Sequence, residues 1–332
     1  MSIHRGTFQT HRTGFGLVLL IAFAAGTTID SIAQPYPVRP VRLIVPFAPG
    51  GGADNLARTL HGSAADALGQ MIVIDNRGGG GGTIGTDLVA KAPADGYTIA
   101  LVTTGHTVNP SLLPKVPYNA IEDFEAVSLL ATQPNVLVVH PSVGVMSVRE
   151  LVALAKAKPG MINFASGGNG SSPHLSGELL KLTTGVTINH IPYRGAGPGI
   201  ADVVAGHVHM MFVGPISIDA YVRAGRLRAL AVADAKRLTI APDIPTMSEA
   251  GFTGIETGTW YALLAPAATP RGVVARLHEA FTGVLRTSDM TVRLNKQGMD
   301  VVAGSPAELR DFMKAELAKW SRVVKAAKLR VD

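Results

Sequence analysis

The sequence of 332 residues has no cysteine, few aromatic residues and few charges. Without cysteine, disulfides and the lipid anchor of bacterial lipoproteins are both excluded. Aromatic residues make up 5% of the chain, and its 30 Lys and Arg residues are scattered, so we expect no nucleic-acid partner. The formal net charge of +6 is compatible with a small anionic ligand.

The first 33 residues have the three parts of an export signal. Arg5 and Arg12 make the start basic, residues 15–25 are apolar, and residues 31–33 (Ser-Ile-Ala) form a small-x-small cleavage site. A retained anchor is the alternative, but this apolar stretch is shorter than the about 20 residues that span a membrane. We therefore expect cleavage after Ala33 and a periplasmic protein.

The rest of the chain alternates short apolar runs with helical patterns, which is typical of βαβ units and predicts an α/β fold. The runs that predict strands are residues 41–46, 71–75, 97–102, 135–140, 162–165, 188–192, 210–213, 228–232 and 256–264. Capping boxes at Ser147 to Glu150 and Ser305 to Glu308 predict two helix starts. Two such α/β series facing each other would form one cleft between them.

A glycine-rich loop, residues 47–54 (Phe-Ala-Pro-Gly-Gly-Gly-Ala-Asp), joins the first predicted strand to a helix. Glycines allow close approach of a ligand, and the helix start offers free N–H groups and the positive end of a dipole. Such a loop binds a carboxylate without any cationic side chain. A tight strand-to-helix turn is the alternative, and the loop alone leaves both open.

Two further loops carry polar groups at predicted strand ends. Residues 166–174 (Ser-Gly-Gly-Asn-Gly-Ser-Ser-Pro-His) precede a helix, so Ser171 and Ser172 could cap that helix or donate to a ligand. Arg194, after the strand at 188–192, could hold a carboxylate through two hydrogen bonds. An ion pair between loops is the alternative for Arg194.

Two sharper motifs are rejected. Residues 80–85 (Gly-Gly-Gly-Thr-Ile-Gly) match the G-x-G-x-x-G fingerprint of dinucleotide sites, but a run of glycines matches many patterns and no acid for a ribose follows the next strand. His207 and His209 lack the further ligands that a metal site needs. We therefore predict no cofactor and no metal.

Six sequence blocks occur together and in order, at residues 41–54, 73–80, 109–112, 117–124, 191–195 and 245–251. In these blocks the chain resembles the Bug family of periplasmic solute-binding proteins, the receptors related to tripartite tricarboxylate transporters. The resemblance covers about residues 35–330. It implies a type II-like Venus flytrap, in which two domains, each a mainly parallel sheet flanked by helices, close on a small organic acid.

The resemblance also implies the domain bounds and the site. Domain 1 would be residues 35–134 plus 258–332, and domain 2 residues 135–257. Candidate ligand-binding residues are Phe47, Ala48, Pro49, Gly50, Gly51, Ala53, Asp54, Thr104, Gly105, His106, Ser166, Gly168, Gly170, Ser171, Ser172, His174, Tyr193, Arg194, Gly195 and Ala196. Relatives usually carry an acid where this chain has Val213, which favours a plain mono- or dicarboxylate over an amino acid.

We therefore expect a monomeric binding protein, not an enzyme, that delivers an organic acid to membrane transporter subunits. An exported hydrolase or isomerase using Ser171 or Ser172, His174 and a remote acid is one alternative. In that case an acid must approach His174 and the serine must face it. A ligand-sensing accessory protein for signalling is a second alternative.

Overall fold

Two β-sheets flanked by helices organise the chain. The computed structural model describes Met1, residues 36–326 and Leu329, so the predicted leader beyond Met1 and its cleavage site lie outside the described residues. Residues from Tyr36 onward belong to one compact unit. In the part of the chain described, no helix has both the length and the apolar character needed to cross a membrane.

The first sheet is built from both ends of this unit. Its N-terminal elements are β1 (Val41–Val45), α1 (Gly52–Leu68), β2 (Ile72–Asn76), α2 (Thr83–Ala90), β3 (Thr98–Thr103), α3 (Gly105–Leu112) and β4 (Phe124–Pro134). Its C-terminal elements come after a long excursion: β10 (Gly258–Pro266), α8 (Arg271–Leu285), α9 (Ser288–Asn295), β11 (Asp300–Val301) and α10 (Pro306–Ala326). The strand order is β11-β4-β10-β3-β1-β2.

The second sheet is built from the excursion between them. Its elements are β5 (Val136–Val139), α4 (Val148–Ala157), β6 (Asn163–Ser166), α5 (Ser172–Thr184), β7 (Asn189–Pro192), α6 (Ala196–Val204), β8 (Met210–Val213), α7 (Asp219–Arg223) and β9 (Arg228–Val232). The strand order is β7-β6-β8-β5-β9. We call the two sheets with their helices lobe 1 and lobe 2.

Both sheets are mixed, with fewer parallel pairs than the βαβ pattern predicts. In lobe 1, β1 pairs in parallel with β2 and β3, but β10 runs antiparallel to β3 and β4. In lobe 2, β6 pairs in parallel with β7 and β8, but β5 runs antiparallel to β8 and β9. The antiparallel strands are those by which the chain enters lobe 2 and returns from it.

Local sequence signals account for several helix ends. In α1 the residues Leu56, Leu60, Ala64 and Leu68 share one buried face, and the left-handed Gly69 ends the helix. Both predicted helix starts are confirmed. The Glu308 N–H donates to Ser305 Oγ at 3.2 Å and the Ser305 N–H donates to the Glu308 carboxylate at 2.7 Å, which completes that capping box. At the other start the Glu150 N–H donates to Ser147 Oγ at 3.2 Å, but the Glu150 carboxylate accepts from the Met146 N–H at 2.7 Å, one residue before the N-cap.

Two buried segments connect the lobes. The Asn135 N–H donates to the Thr257 carbonyl at 3.1 Å, so the outgoing and returning chains are joined where they cross. The Asn135 side chain donates to Ser172 Oγ at 2.6 Å and Ser176 Oγ at 3.0 Å. The chain passes from the sheet of lobe 1 to the sheet of lobe 2, and back again, at these two segments. This agrees with the predicted domain bounds at 134/135 and 257/258, which themselves stay a prediction.

Candidate ligand cavity

A cavity of about 50 Å³ lies between the lobes, at the carboxyl ends of β1, β3 and β8. It is lined by Phe47, Gly51, Gly52, Ala53, Thr103, Asn135, Gly167, Ser171, Ser172, Pro173, Ala196, Val213, Gly214, Thr259 and Tyr261. None of these lining residues carries a charged side chain. Whatever charge the cavity recognises must therefore be matched by backbone groups and neutral side chains.

The N-termini of three helices converge on this cavity. Their N-cap residues are Gly51 for α1, Ser171 for α5 and Gly195 for α6, and in none of the three helices does the N-cap side chain accept a hydrogen bond from a helix N–H. The first amides of a helix have no partner within it, and the aligned peptide dipoles place about half a positive charge there. Three such ends around one uncharged cavity create an environment that favours an anion.

Two glycines allow the floor of the cavity to form. A Cβ atom on Gly52 would overlap the Tyr261 hydroxyl, and one on Gly214 would overlap the Gln133 side-chain oxygen. The Tyr261 hydroxyl in turn donates to Gln133 Oε1 at 2.8 Å. Burial raises the pKa of Tyr261, so its hydroxyl stays a neutral group.

The two serines that line the cavity donate their hydroxyl protons to other groups of the protein. Ser171 Oγ donates to the Gly168 carbonyl at 2.7 Å. Ser172 Oγ donates to the Gly258 carbonyl at 2.8 Å and accepts from Asn135 Nδ2 at 2.6 Å. Because each hydroxyl has a single proton, these bonds fix the loop rather than leave donors for an anion.

Asp54 stabilises the glycine-rich loop from inside. Its carboxylate is 3% exposed and accepts from the Gly50 N–H at 3.0 Å, Arg58 Nε at 2.9 Å and Asn76 Nδ2 at 3.1 Å. Burial acts to raise the pKa of Asp54, but the hydrogen bonds from these groups outweigh it and lower the pKa below its ordinary value. The carboxylate therefore holds the loop that starts α1 and is absent from the cavity lining.

The other residues of this loop meet lobe 2 directly. The Ala48 N–H donates to the Arg194 carbonyl at 2.9 Å. A Cβ atom on Gly197 would overlap the Pro49 carbonyl oxygen. Backbone from the two lobes is thus in contact at the edge of the cavity, which is the arrangement of a closed cleft.

Tyr193 and Arg194 lie outside the cavity. Both line a separate pocket of about 420 Å³, together with Gly168 and Lys115. The Tyr193 hydroxyl donates to Asp202 at 2.5 Å, so it is occupied within lobe 2. Arg194 is exposed and contributes its carbonyl, not its guanidinium, to the contact between lobes.

The predicted tip at residues 104–106 also lies beside the cavity rather than in its lining. Thr104 Oγ1 donates to the Gly258 carbonyl at 3.3 Å, and Gly105 begins α3. His106 is buried, and its Nε2 donates to the Ala120 carbonyl at 2.8 Å. Burial lowers the pKa of His106 to about 4, so the ring is neutral at physiological pH.

Ser166, Gly170 and His174 organise the loop before α5. Ser166 Oγ lies 2.6 Å from His190 Nε2, and the His190 and His174 rings stack with centroids 4.2 Å apart. The Gly170 N–H donates to His174 Nδ1 at 3.2 Å, while Glu178 Oε1 lies 3.9 Å from Nε2. Burial lowers the pKa of His174 to about 3. Among the described residues, no three potential metal ligands cluster.

Comparison with known proteins places this architecture in a family. The sequence profile of the tripartite tricarboxylate transporter family receptor matches residues 56–329. The protein BugT of Bordetella pertussis is 38% identical over 303 residues, which cover 91% of this chain and 93% of BugT. The chain belongs to the Bug family of solute-binding receptors.

Two solved structures of similar proteins share the fold. The periplasmic binding protein BugD is similar with a TM-score of 0.86 and 34% identity, covering 89% of this chain and 99% of BugD. A Rhodopseudomonas palustris protein solved with adipate gives a TM-score of 0.85 and 37% identity, covering 88% of this chain and 98% of that protein. The predicted family and two-domain α/β fold are thereby confirmed.

Six of the predicted site residues line the cavity of this Bug receptor. They are Phe47, Gly51, Ala53, Ser171, Ser172 and Ala196. The lining also includes residues outside the predicted set, notably Thr103, Thr259 and Tyr261. The domain bound at 257/258, which the family resemblance implies, places the predicted strand at 256–264 where the chain crosses between the domains, and such a strand has to pass their cleft. That position was the available signal for Thr259 and Tyr261.

Proposed function

We propose that this Bug receptor captures a small organic carboxylate in the cavity between its lobes. The observation that carries the proposal is the convergence of three uncapped helix N-termini on a cavity without charged side chains. A carboxylate would accept hydrogen bonds from amides such as those of Gly52 and Ala53, and its charge would be stabilised by the helix dipoles.

The cavity favours a plain mono- or dicarboxylate over an amino acid. Val213 is 2% exposed and lines the cavity, and no lining residue is acidic. A buried ammonium group would therefore lack a negative partner, which is costly in a low-dielectric site. The adipate found in the similar Rhodopseudomonas palustris structure is a ligand of this class.

The geometry around Ser171 and His174 supports a binding protein rather than the hydrolase predicted as the alternative. A serine hydrolase needs the serine hydroxyl to donate to a histidine nitrogen. Here Ser171 donates to the Gly168 carbonyl, and His174 Nδ1 already accepts from the Gly170 N–H. Glu178, the acid that approaches His174, stays 3.9 Å away, which is longer than a hydrogen bond.

The receptor would act in the periplasm as a monomer. The periplasmic location is proposed from the family together with the predicted export signal, which would be cleaved after Ala33. The closed form, with both lobes around the ligand, would be the state that membrane subunits of a tripartite tricarboxylate-type transporter recognise.

A ligand panel tests this function. Purified protein would be screened by thermal shift against dicarboxylates from malonate to suberate, the matching monocarboxylates, and aspartate and glutamate. We expect a rise in Tm with at least one carboxylate that lacks an amino group, because binding to the folded state stabilises it. A Tm that no acid of the panel raises, together with no co-purified ligand in native mass spectrometry, would contradict the proposal.

A further inference from the structure

A second, smaller cavity lies behind Phe47 and is lined by residues of lobe 1, with a volume of about 10 Å³. Three side chains around it, from His106, Asn109 and Tyr118, are at least nine-tenths buried. His106 Nδ1 and Asn109 Oδ1 have no hydrogen-bond partner, and the Tyr118 hydroxyl, which the side chains of Thr86 and Asn109 approach, makes no hydrogen bond of good geometry. Buried polar groups in native proteins are nearly always paired, so this grouping calls for a bound partner.

The known hydrogen bonds fix what the partner must be. His106 Nε2 donates to the Ala120 carbonyl at 2.8 Å, so Nδ1 of the neutral ring is an acceptor. Asn109 Nδ2 donates to the Gly81 carbonyl at 3.1 Å, so Oδ1 is an acceptor too. The Tyr118 hydroxyl has one proton and can satisfy only one of these two acceptors. No donor of the protein bonds either acceptor in this structure, so a bound donor would satisfy what the protein leaves open.

This requirement excludes two classes of guest. A carboxylate offers only acceptors and would leave His106 Nδ1 and Asn109 Oδ1 unpaired. An ammonium ion would be buried without an acidic residue in the lining of the small cavity. A neutral hydroxyl-bearing group fits both the hydrogen-bond pattern and the volume, since about 10–15 Å³ of this kind accommodates one water molecule.

We propose that the small cavity behind Phe47 is a binding compartment for one neutral hydrogen-bond donor, either a water molecule or a hydroxyl group of the ligand. Phe47 and Thr103 line both this compartment and the ligand cavity, so they form the wall between them. The Phe47 ring rests against Gly82, where a Cβ atom would lie 3.1 Å from the ring. Phe47 would then determine whether a ligand reaches the compartment.

The first test is a high-resolution crystal structure of the purified protein without added ligand. We expect density for one oxygen within hydrogen-bond distance of His106 Nδ1 and Asn109 Oδ1. A dry compartment, or side chains turned so that they pair with each other, would overturn the proposal. This test does not depend on the proposed function, because a water molecule can occupy the compartment in any protein with this fold.

The second test distinguishes the two sources of the donor and rests on the proposed carboxylate binding. Malate and succinate differ by one hydroxyl, and their affinities would be compared by calorimetry in the wild type and in His106→Phe. If a ligand hydroxyl enters, malate should lose about tenfold in affinity relative to succinate in the variant. If both acids weaken equally or not at all while the oxygen is seen in the crystal, the donor is water.

If neither malate nor succinate binds the wild type, this result counts against the proposed carboxylate function. The crystal structure still shows whether the small cavity holds a hydrogen-bond donor. A variant that fails to fold leaves the wild-type structure as the deciding measurement. A malate preference that survives in His106→Phe, together with a dry compartment, would refute both forms of the proposal.

Discussion

Ala53 lies in the first turn of α1, where amides have no partner within the helix, and it lines the ligand cavity. Proline is tolerated in the first turn of a helix and removes the N–H without changing charge. If this amide donates to a ligand carboxylate, Ala53→Pro should lose a charge-assisted bond worth about 1.5–3 kcal/mol, which is roughly a 10- to 100-fold rise in Kd. Isothermal titration with the best acid of the panel measures this change.

Gly272→Pro is the matched control for that variant. Gly272 is also the second residue of its helix, α8, and a Cβ atom there would contact nothing within 4 Å. It does not belong to the cavity lining, so its proline should leave Kd unchanged. Equal affinities for Ala53→Pro and Gly272→Pro would remove the α1 amide from the proposed site.

Asp54 should stabilise the folded protein in a pH-dependent way. Because its pKa is lowered on folding from the ordinary 3.8, its contribution is fully present above about that pH and is lost as pH falls through the folded-state pKa. In Asp54→Asn the carboxylate that accepts from the Gly50 N–H and from Arg58 Nε is replaced by a neutral amide, which cannot accept all of these bonds. The substitution should lower the free energy of unfolding by about 1–3 kcal/mol at neutral pH. Urea unfolding of both proteins should show this gap narrowing below pH about 3.8. A gap that stays constant with pH would contradict the assignment.

Residue types in loops were predictable from the sequence, but their directions were not. Ser171 and Ser172 line the cavity as expected, yet Ser171 donates to the Gly168 carbonyl of its own loop and Ser172 donates to the Gly258 carbonyl of a distant segment. Asp54 and Arg194 belong to the right loops but point elsewhere. Whether a polar side chain serves the ligand or the fold depends on contacts distant in sequence, such as that of Ser172 with Gly258.

Helix α6 contains a glycine, Gly197, that lies against the backbone of lobe 1. Gly197 has ordinary helical backbone, but a Cβ atom on it would overlap the Pro49 carbonyl of lobe 1. Gly197→Ala should therefore leave the ligand-free protein at least as stable, since alanine favours helix over glycine by up to about 1 kcal/mol. Ligand affinity should fall by tenfold or more, because closing the cleft now creates a clash. Thermal unfolding and titration measure the two effects separately.

Gly62→Ala provides the comparison within a helix. Gly62 lies in α1, where a Cβ atom would meet nothing within 4 Å, so this substitution should leave affinity unchanged. A Gly197→Ala protein that binds as tightly as Gly62→Ala would mean that closure does not need the contact between Gly197 and Pro49.

At the level of elements, amphipathic and alternating segments were predicted well, and segments buried on all sides were missed. The strand β4 lies between β10 and β11, so its polar residues Ser128 and Gln133 are buried and interrupt any apolar run. The helix α3 begins at Gly105 and contains Pro110, two residues that ordinarily argue against helix. Contacts with distant parts of the chain stabilise both β4 and α3, and such contacts leave no recognisable pattern in the local sequence.

For the whole molecule, the closed form depends on few contacts between the lobes. They include the bond from Ala48 to Arg194, glycine backbone contacts, and one small apolar cluster in which Leu175 of lobe 2 packs with Val108 and Leu112 of lobe 1. The buried residues of each larger apolar cluster come from a single lobe, and Ile216 of lobe 2 packs against the largest cluster of lobe 1. Such a limited interface should need ligand to hold it closed, since relative motion of domains is expected without a large apolar interface.

Small-angle X-ray scattering should detect this dependence. We expect the radius of gyration of the ligand-free protein to exceed that calculated from the closed structure, and to decrease when a bound carboxylate shifts the population to the closed form. Gly197→Ala should keep the larger radius even at ligand concentrations that close Gly62→Ala, because its clash acts only in the closed form. If the ligand-free wild type already scatters as the closed structure, the interface is stronger than these contacts indicate, and ligand binding must then begin from a rare open state that lowers the apparent affinity.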